Sequence, residues 1–150
     1  MPGSFTCLYY HLVFATKDRV PLITPDLKPR LWAYVGGIVR AEKGVALAVG
    51  GTDNHVHMLT KLDKQSTVAD VMRVVKGNAS RWVHETFPHL SHFAWQDGYG
   101  AFTVSIGGLD QVTRYIQGQE EHHRDETFEQ EFETFLKRHG IKSDRRHLWG

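Results

Sequence analysis

Two periods of apolar and polar positions alternate along this chain, and the switches between them predict its elements. Thr6 to Thr16 is rich in aromatic and β-branched residues until Lys17-Asp18-Arg19 and Pro21 interrupt it, which reads as a strand followed by a loop. Thr24 then opens a helix: it can cap, Pro25 suits the first position, and Leu27, Leu31, Tyr34, Val35, Ile38 and Val39 recur at helical spacing until Lys43-Gly44. Val45 to Val49 and His55 to Leu62 are two strands joined by the turn segment Gly50 to Asn54, an antiparallel hairpin. Ser66 or Thr67 caps a second helix with Val68, Val71, Met72, Val75, Ala79, Trp82 and Val83 on its apolar stripe, ended by Phe87-Pro88. After a loop, Ala101 to Ile106 is a fourth strand, broken by Gly107-Gly108. Leu109 to about Glu126 is a helix, and Phe128 to His139 is an acidic one that buries Phe128, Phe132, Phe135 and Leu136.

The order β-α-β-β-α-β-α-α predicts an α+β fold. Its sheet is antiparallel and ferredoxin-like or RNA-recognition-motif-like, with helices on one face and a C-terminal helical addition. A chain of 150 residues with an apolar fraction of 41% makes one domain, spanning 1–150. Cys7 is the only cysteine, which excludes an internal disulfide and a Cys-based zinc site and fits a reducing cytoplasm. Phe5 to Ala15 is too short to cross a bilayer. The net charge of +1 conceals an asymmetry, because Glu120 to Glu133 holds seven of the 17 acidic residues and one basic residue, Arg124. The remainder carries 17 Lys and Arg against 10 Asp and Glu, so a basic surface for nucleic acid is compatible with near-neutrality, as is a mixed solvated one.

Candidate chemistry starts at His55-Val56-His57. On a strand the two imidazoles share a face while Val56 and Met58 point into the opposite layer. The pair is either a metal site or two ordinary strand histidines. On the helix that follows, Tyr115 and Gln119 stack four apart. Tyr115 lies about 100° from Ile116, at the edge of the stripe set by Leu109, Val112 and Ile116, and reads either as core or as a nucleophile. Gly118 costs about 1 kcal/mol relative to Ala inside a helix, and either admits a phosphate or backbone or serves packing.

The full set of motifs carries a resemblance. Tyr10-His11-Leu12-Val13-Phe14, Asn54-His55-Val56-His57-Met58-Leu59, Lys76-Gly77, Gln96 to Phe102, and Tyr115 to Arg124 together resemble the single-tyrosine HUH transposases. These are the enzymes of insertion-sequence-200-like elements and the REP-associated tyrosine transposases. The resemblance implies a DNA transposase that cleaves and rejoins single-stranded DNA through a 5′-phosphotyrosine. It implies Tyr115 as nucleophile, and His55, His57 and Gln119 as ligands of Mg²⁺ or Mn²⁺. It further implies recognition of DNA hairpins near element ends, and a homodimer whose active sites form in trans, with Gly107-Gly108 as hinge or plain strand end. Lys17, Arg19, Arg73, Lys76 and Arg81 are then candidate phosphate contacts, and His122, His123 and Arg124 candidates for DNA or the metal's surroundings. The competing function is a hairpin-DNA-binding regulator that no longer cleaves.

Overall fold

A computed structural model describes residues 3–144 and 148–149. Strands β1 (Tyr9–Ala15), β2 (Val45–Gly51), β3 (His55–Lys61) and β4 (Gly100–Thr103) form one antiparallel sheet in the order β2-β3-β1-β4. Helices α1 (Leu27–Ala41) and α2 (Val68–Thr86) connect the strands as the element order predicts. After the sheet come α3 (Leu109–Gln117), α4 (Gln119–His122) and α5 (Phe128–Arg138). The expected α+β architecture is present, with one extension: both faces of the sheet are covered.

The two faces differ in chemistry because the strands alternate. Leu12, Phe14, Val56 and Met58 point to the layer of α1 and α2, where they join Leu31, Val35, Val39, Met72, Val75 and Ala79 in the main core. The opposite residues, His11, Val13, His55, His57 and Leu59, face α3 to α5 and are likewise buried. A bulge at Leu47 re-phases β2, so Ala46 and Val49 pack on the first layer while Ala48 meets Leu59 and Ile116 on the second.

Local signals explain most boundaries. The Thr67 hydroxyl accepts the Asp70 N–H at 3.1 Å and starts α2. Thr24 acts as expected, its hydroxyl accepting the Leu27 N–H at 3.4 Å, although regular α1 begins at Leu27. A full capping box of Thr127 and Gln130 opens α5. Two expectations need correction. The fourth strand ends at Thr103 rather than Ile106, because the chain turns into a short 3-10 segment at Ile106–Gly108. The long helix from Leu109 is broken at Gly118, the residue with the weakest backbone preference, into α3 and α4.

How α3 docks decides where its functional residues sit. A Cβ at Gly50 would lie 2.4 Å from the Ile116 carbonyl oxygen, so only glycine lets β2 approach this helix. Gly50→Ala should therefore push α3 off the sheet and destabilise the fold by about 1–3 kcal/mol. A urea midpoint equal to the wild type's would show that this approach is not needed.

Candidate active site

Strand β3 presents His55 and His57 on the second face, and β1 sets His11 beside them. Both β3 histidines are 0% exposed. Helix α3 adds Tyr115, α4 adds Gln119 and α5 adds Glu131, all from the same chain. The Tyr115 and His57 rings are 5.8 Å apart within the one chain. Although Gly118 separates Tyr115 and Gln119 into two helices, both still meet one group, the Glu131 carboxylate. Oε2 of Glu131 accepts the Tyr115 hydroxyl and the Gln119 Nε2–H, the latter at 3.0 Å. Oε1 lies 3.0 Å from His57 Nε2, 3.1 Å from His123 Nε2 and 3.6 Å from His55 Nε2.

Glu131 is the residue that sequence reasoning missed. In the sequence it is one of seven carboxylates in the acidic run from Glu120 to Glu133. Its phase carried the missing signal: three residues after Phe128 and four before Phe135, Glu131 falls inside the apolar stripe of α5. At 2% exposed it is a buried charge, and such a group must be paired.

The electrostatics follow from that burial. Desolvation and, second, the neighbouring His57 lower the pKa of His55 to about 3; burial followed by the same neighbour brings His11 to about 3. Both are neutral imidazoles. Burial and the Glu131 hydrogen bond raise the Tyr115 pKa, so its phenol keeps its proton. Burial favours the neutral form of Glu131, but hydrogen bonds from His123, His57 and Tyr115 outweigh it and hold the carboxylate ionised. For His123 burial works downward, and the bond and charge of Glu131 raise the pKa on balance.

The donor pattern fits a cation. Asn54 Nδ2 donates to the Arg19 carbonyl, which turns its Oδ1 to His55 Nδ1 at 2.8 Å, so the proton of neutral His55 sits on Nδ1. Nε2 of His55 then offers a lone pair, yet it faces Gln119 Oε1, another lone-pair atom, at 2.8 Å. Flipping the amide would only move the conflict, since its oxygen would then face Glu131 Oε2. A divalent ion resolves both arrangements by taking the two lone pairs. His55, His57 and Glu131 each offer a ligand atom, all within 4.8 Å of one another.

The other expected residues are more scattered. The Lys76 ammonium donates to the Gln96 and Gly98 carbonyls at 2.8 and 2.7 Å, tying α2 to the loop before β4 rather than standing free on a basic face. Arg19 is largely buried, donating to Gln96 Oε1, lying near Glu129 and stacking over Trp149. Lys17, Arg73, Arg81 and Arg124 are exposed, Arg73 beside Asp70 and Arg81 bonded to Asn78. His122 pairs with Glu126 at 2.6 Å, on an open groove that also exposes Arg114 and Tyr115. No helix among the described residues is long and apolar enough to cross a membrane.

Known proteins are similar to this chain in sequence and in fold. The ISDra2 transposase TnpA of Deinococcus radiodurans is 24% identical over 117 residues, covering 75% of this chain and 84% of its own. A solved structure from Deinococcus radiodurans R1, assigned as a transposase, superposes with a TM-score of 0.64 at 26% identity, over 79% of this chain and 95% of that one. A REP-associated tyrosine transposase bound to a REP hairpin shares the fold, with a TM-score of 0.59 at 13% identity, over 82% of this chain and 73% of that one. The sequence pattern of the IS200-like transposases matches residues 4–119, which span the whole sheet, the histidine pair, Tyr115 and Gln119, and the chain belongs to that family.

Proposed function

We propose that this protein cleaves and rejoins single-stranded DNA through a covalent bond to Tyr115. The observation that carries this reading is the convergence of the Tyr115 hydroxyl, Gln119, His55 and His57 on one buried locus within one chain. A divalent ion held by His55, His57 and Gln119 would polarise the scissile phosphate and stabilise charge on the leaving oxygen.

The chain's own groups supply the rest. An isolated phenol has a pKa near about 10, so Tyr115 needs a proton acceptor to attack at neutral pH. Glu131 Oε2 already accepts its hydroxyl and is placed to take that proton. The Tyr115 oxygen forms a bond to phosphorus as the bond to the 3′ oxygen breaks, leaving a 5′-phosphotyrosine and, after protonation, a 3′-hydroxyl. Because one phosphodiester is exchanged for another, a 3′-hydroxyl can reverse the attack without ATP. Burial keeps His55 neutral, as a ligand must be.

The substrate class follows from the family and from the surface. Single-stranded DNA carrying a hairpin fits the family likeness, with Lys17, Arg73, Arg81 and Arg124 as the exposed phosphate contacts and Arg114 beside Tyr115 on the groove. His55, His57 and Glu131 are closed off from that groove, so a phosphodiester reaches them only as α5 gives way. Within one chain Tyr115 lies beside the histidine pair, and a homodimer that exchanges tyrosine helices would rebuild the same contacts in trans. A regulator without cleavage would have no use for a tyrosine, an amide and two buried imidazoles arranged in this way.

Tyr115→Phe should abolish covalent attachment to labelled single-stranded DNA while hairpin binding stays within about twofold of wild type, since a surface contact of this size contributes little. Adducts at the wild-type level in denaturing gels would remove Tyr115 from its role. In NMR spectra of the metal-free protein, the His55 ring should show no titration between about pH 8 and pH 5, because its folded pKa is far below the usual value. A midpoint near about 6.5 would mean that the imidazole is solvated and the site open.

A further inference from the structure

A cavity of about 180 Å³ lies beside the histidine strand, outside the cluster around Glu131. Its floor includes Val13 and Ala15 of β1, the cross-strand partners of His57 and His55. Phe128, whose ring centre is 4.5 Å from that of His55, is the wall the two places share. Phe132, Trp149 and Tyr99 add aromatic surface, and Tyr99, 41% exposed, connects it to solvent. An enclosed apolar cavity of about 150 Å³ accepts a benzene ring, so this one has room for a single planar heterocycle.

The loop before β4 gives the cavity its polar lining, Gln96 and Asp97, and the chain holds that loop firmly. The Gln96 N–H donates to the Ala15 carbonyl at 2.8 Å, and the Lys76 ammonium holds the Gln96 and Gly98 carbonyls. Gln96 Oε1 accepts the Asp18 N–H at 3.0 Å and the Arg19 Nη1–H at 3.2 Å. Both partners are pure donors, so that atom is the oxygen, and the amide's Nε2 keeps two hydrogens that no described residue accepts. Asp18 and Arg19 have φ values of 54° and 55°, a strained left-handed pair at the turn that presents these two donors. Asp97 is exposed and makes no hydrogen bond or ion pair among the described residues. Lys76, whose charge it faces, is committed to the two carbonyls.

We propose that this cavity receives one unpaired guanine of the single-stranded DNA, with Asp97 and Gln96 reading its base-pairing edge. The inference names a base within the substrate proposed above and rests on that reading. Guanine presents an acceptor, O6, beside two donors, N1–H and N2–H. A carboxylate accepts both donors while the Gln96 Nε2–H meets O6. Each of the other three bases, set in that pose, turns at least one lone pair toward the carboxylate. The aromatic walls supply the face contact that an unstacked base requires. Because Val13 and Ala15 border His57 and His55, the guanine belongs to the same short stretch of DNA as the phosphate that meets Tyr115. The cavity lies on the seam between β1 and α5, so a base enters along the line where the helix parts from the sheet.

Fluorescence anisotropy of labelled oligothymidylates of about twelve nucleotides, with and without one central deoxyguanosine, tests this on the full chain in EDTA, where no cleavage intervenes. Wild type should bind the guanine-bearing strand about tenfold more tightly than the all-thymine strand. In Asp97→Asn and Asp97→Ala that ratio should fall to about one. Asp97 is exposed, so neither substitution disturbs the core. Three results would overturn the base site: equal binding of the two strands by wild type, tighter binding of a strand carrying one deoxyadenosine or deoxycytidine instead, or a guanine preference kept by both Asp97 variants. Each of these leaves covalent attachment at Tyr115 to its own assay. If wild type binds none of the strands, the single-strand reading falls together with the base site.

Discussion

A single buried carboxylate organises the second layer of this protein. Glu131 is almost fully enclosed, and a charge in that position is tolerated only when hydrogen bonds and opposite charge replace the water it has lost. Tyr115, Gln119, His57 and His123 supply that replacement from α3, α4, β3 and the end of α4. The same contacts that compensate the charge therefore bring Tyr115, Gln119 and the histidines together. Stability of the C-terminal layer and geometry of the site are one problem here, solved by the same atoms.

The sheet separates this polar layer from a conventional core. On the α1–α2 face, Leu12, Phe14, Val56 and Met58 pack among aliphatic and aromatic side chains. On the other face, the same strands carry His11, His55 and His57, bordered by Val13, Phe102, Phe128 and Leu136. Phe128 and Phe135 lie against the imidazole rings and keep water from them. A dry surround strengthens each electrostatic contact inside it and holds His55 in the neutral form that can donate a lone pair.

Glycine placement converts this layering into positions for chemistry. Gly50 lets the carbonyl of Ile116 come close to β2, which seats the helix carrying Tyr115 directly over the histidine strand. Gly118 then ends that helix, and Gln119 starts a new turn with its amide spanning His55 and Glu131. The odd glycine within a helical run is thus a joint between the helix of Tyr115 and that of Gln119. By contrast, the basic residues of α2 do not act as one face: Lys76 holds a loop while Arg73 and Arg81 stay at the surface.

The amino-acid sequence alone determined the strand and helix order, the hairpin that carries His55 and His57, the shared face of those histidines, and the family resemblance with Tyr115 and Gln119. Those features are local, written in periods of two and 3.6 residues and in caps such as Thr67, so neighbouring residues suffice to read them. Tertiary structure alone decided that α3 to α5 cover the second face, that Lys76 serves the backbone, and that Glu131 and His123 meet the histidine pair. Glu131 lies 74 residues from His57, and no local pattern ties one carboxylate among seven in an acidic segment to that strand. Its role arises from burial, which only the packed chain imposes and which turns an ordinary surface-type residue into the hub of the site.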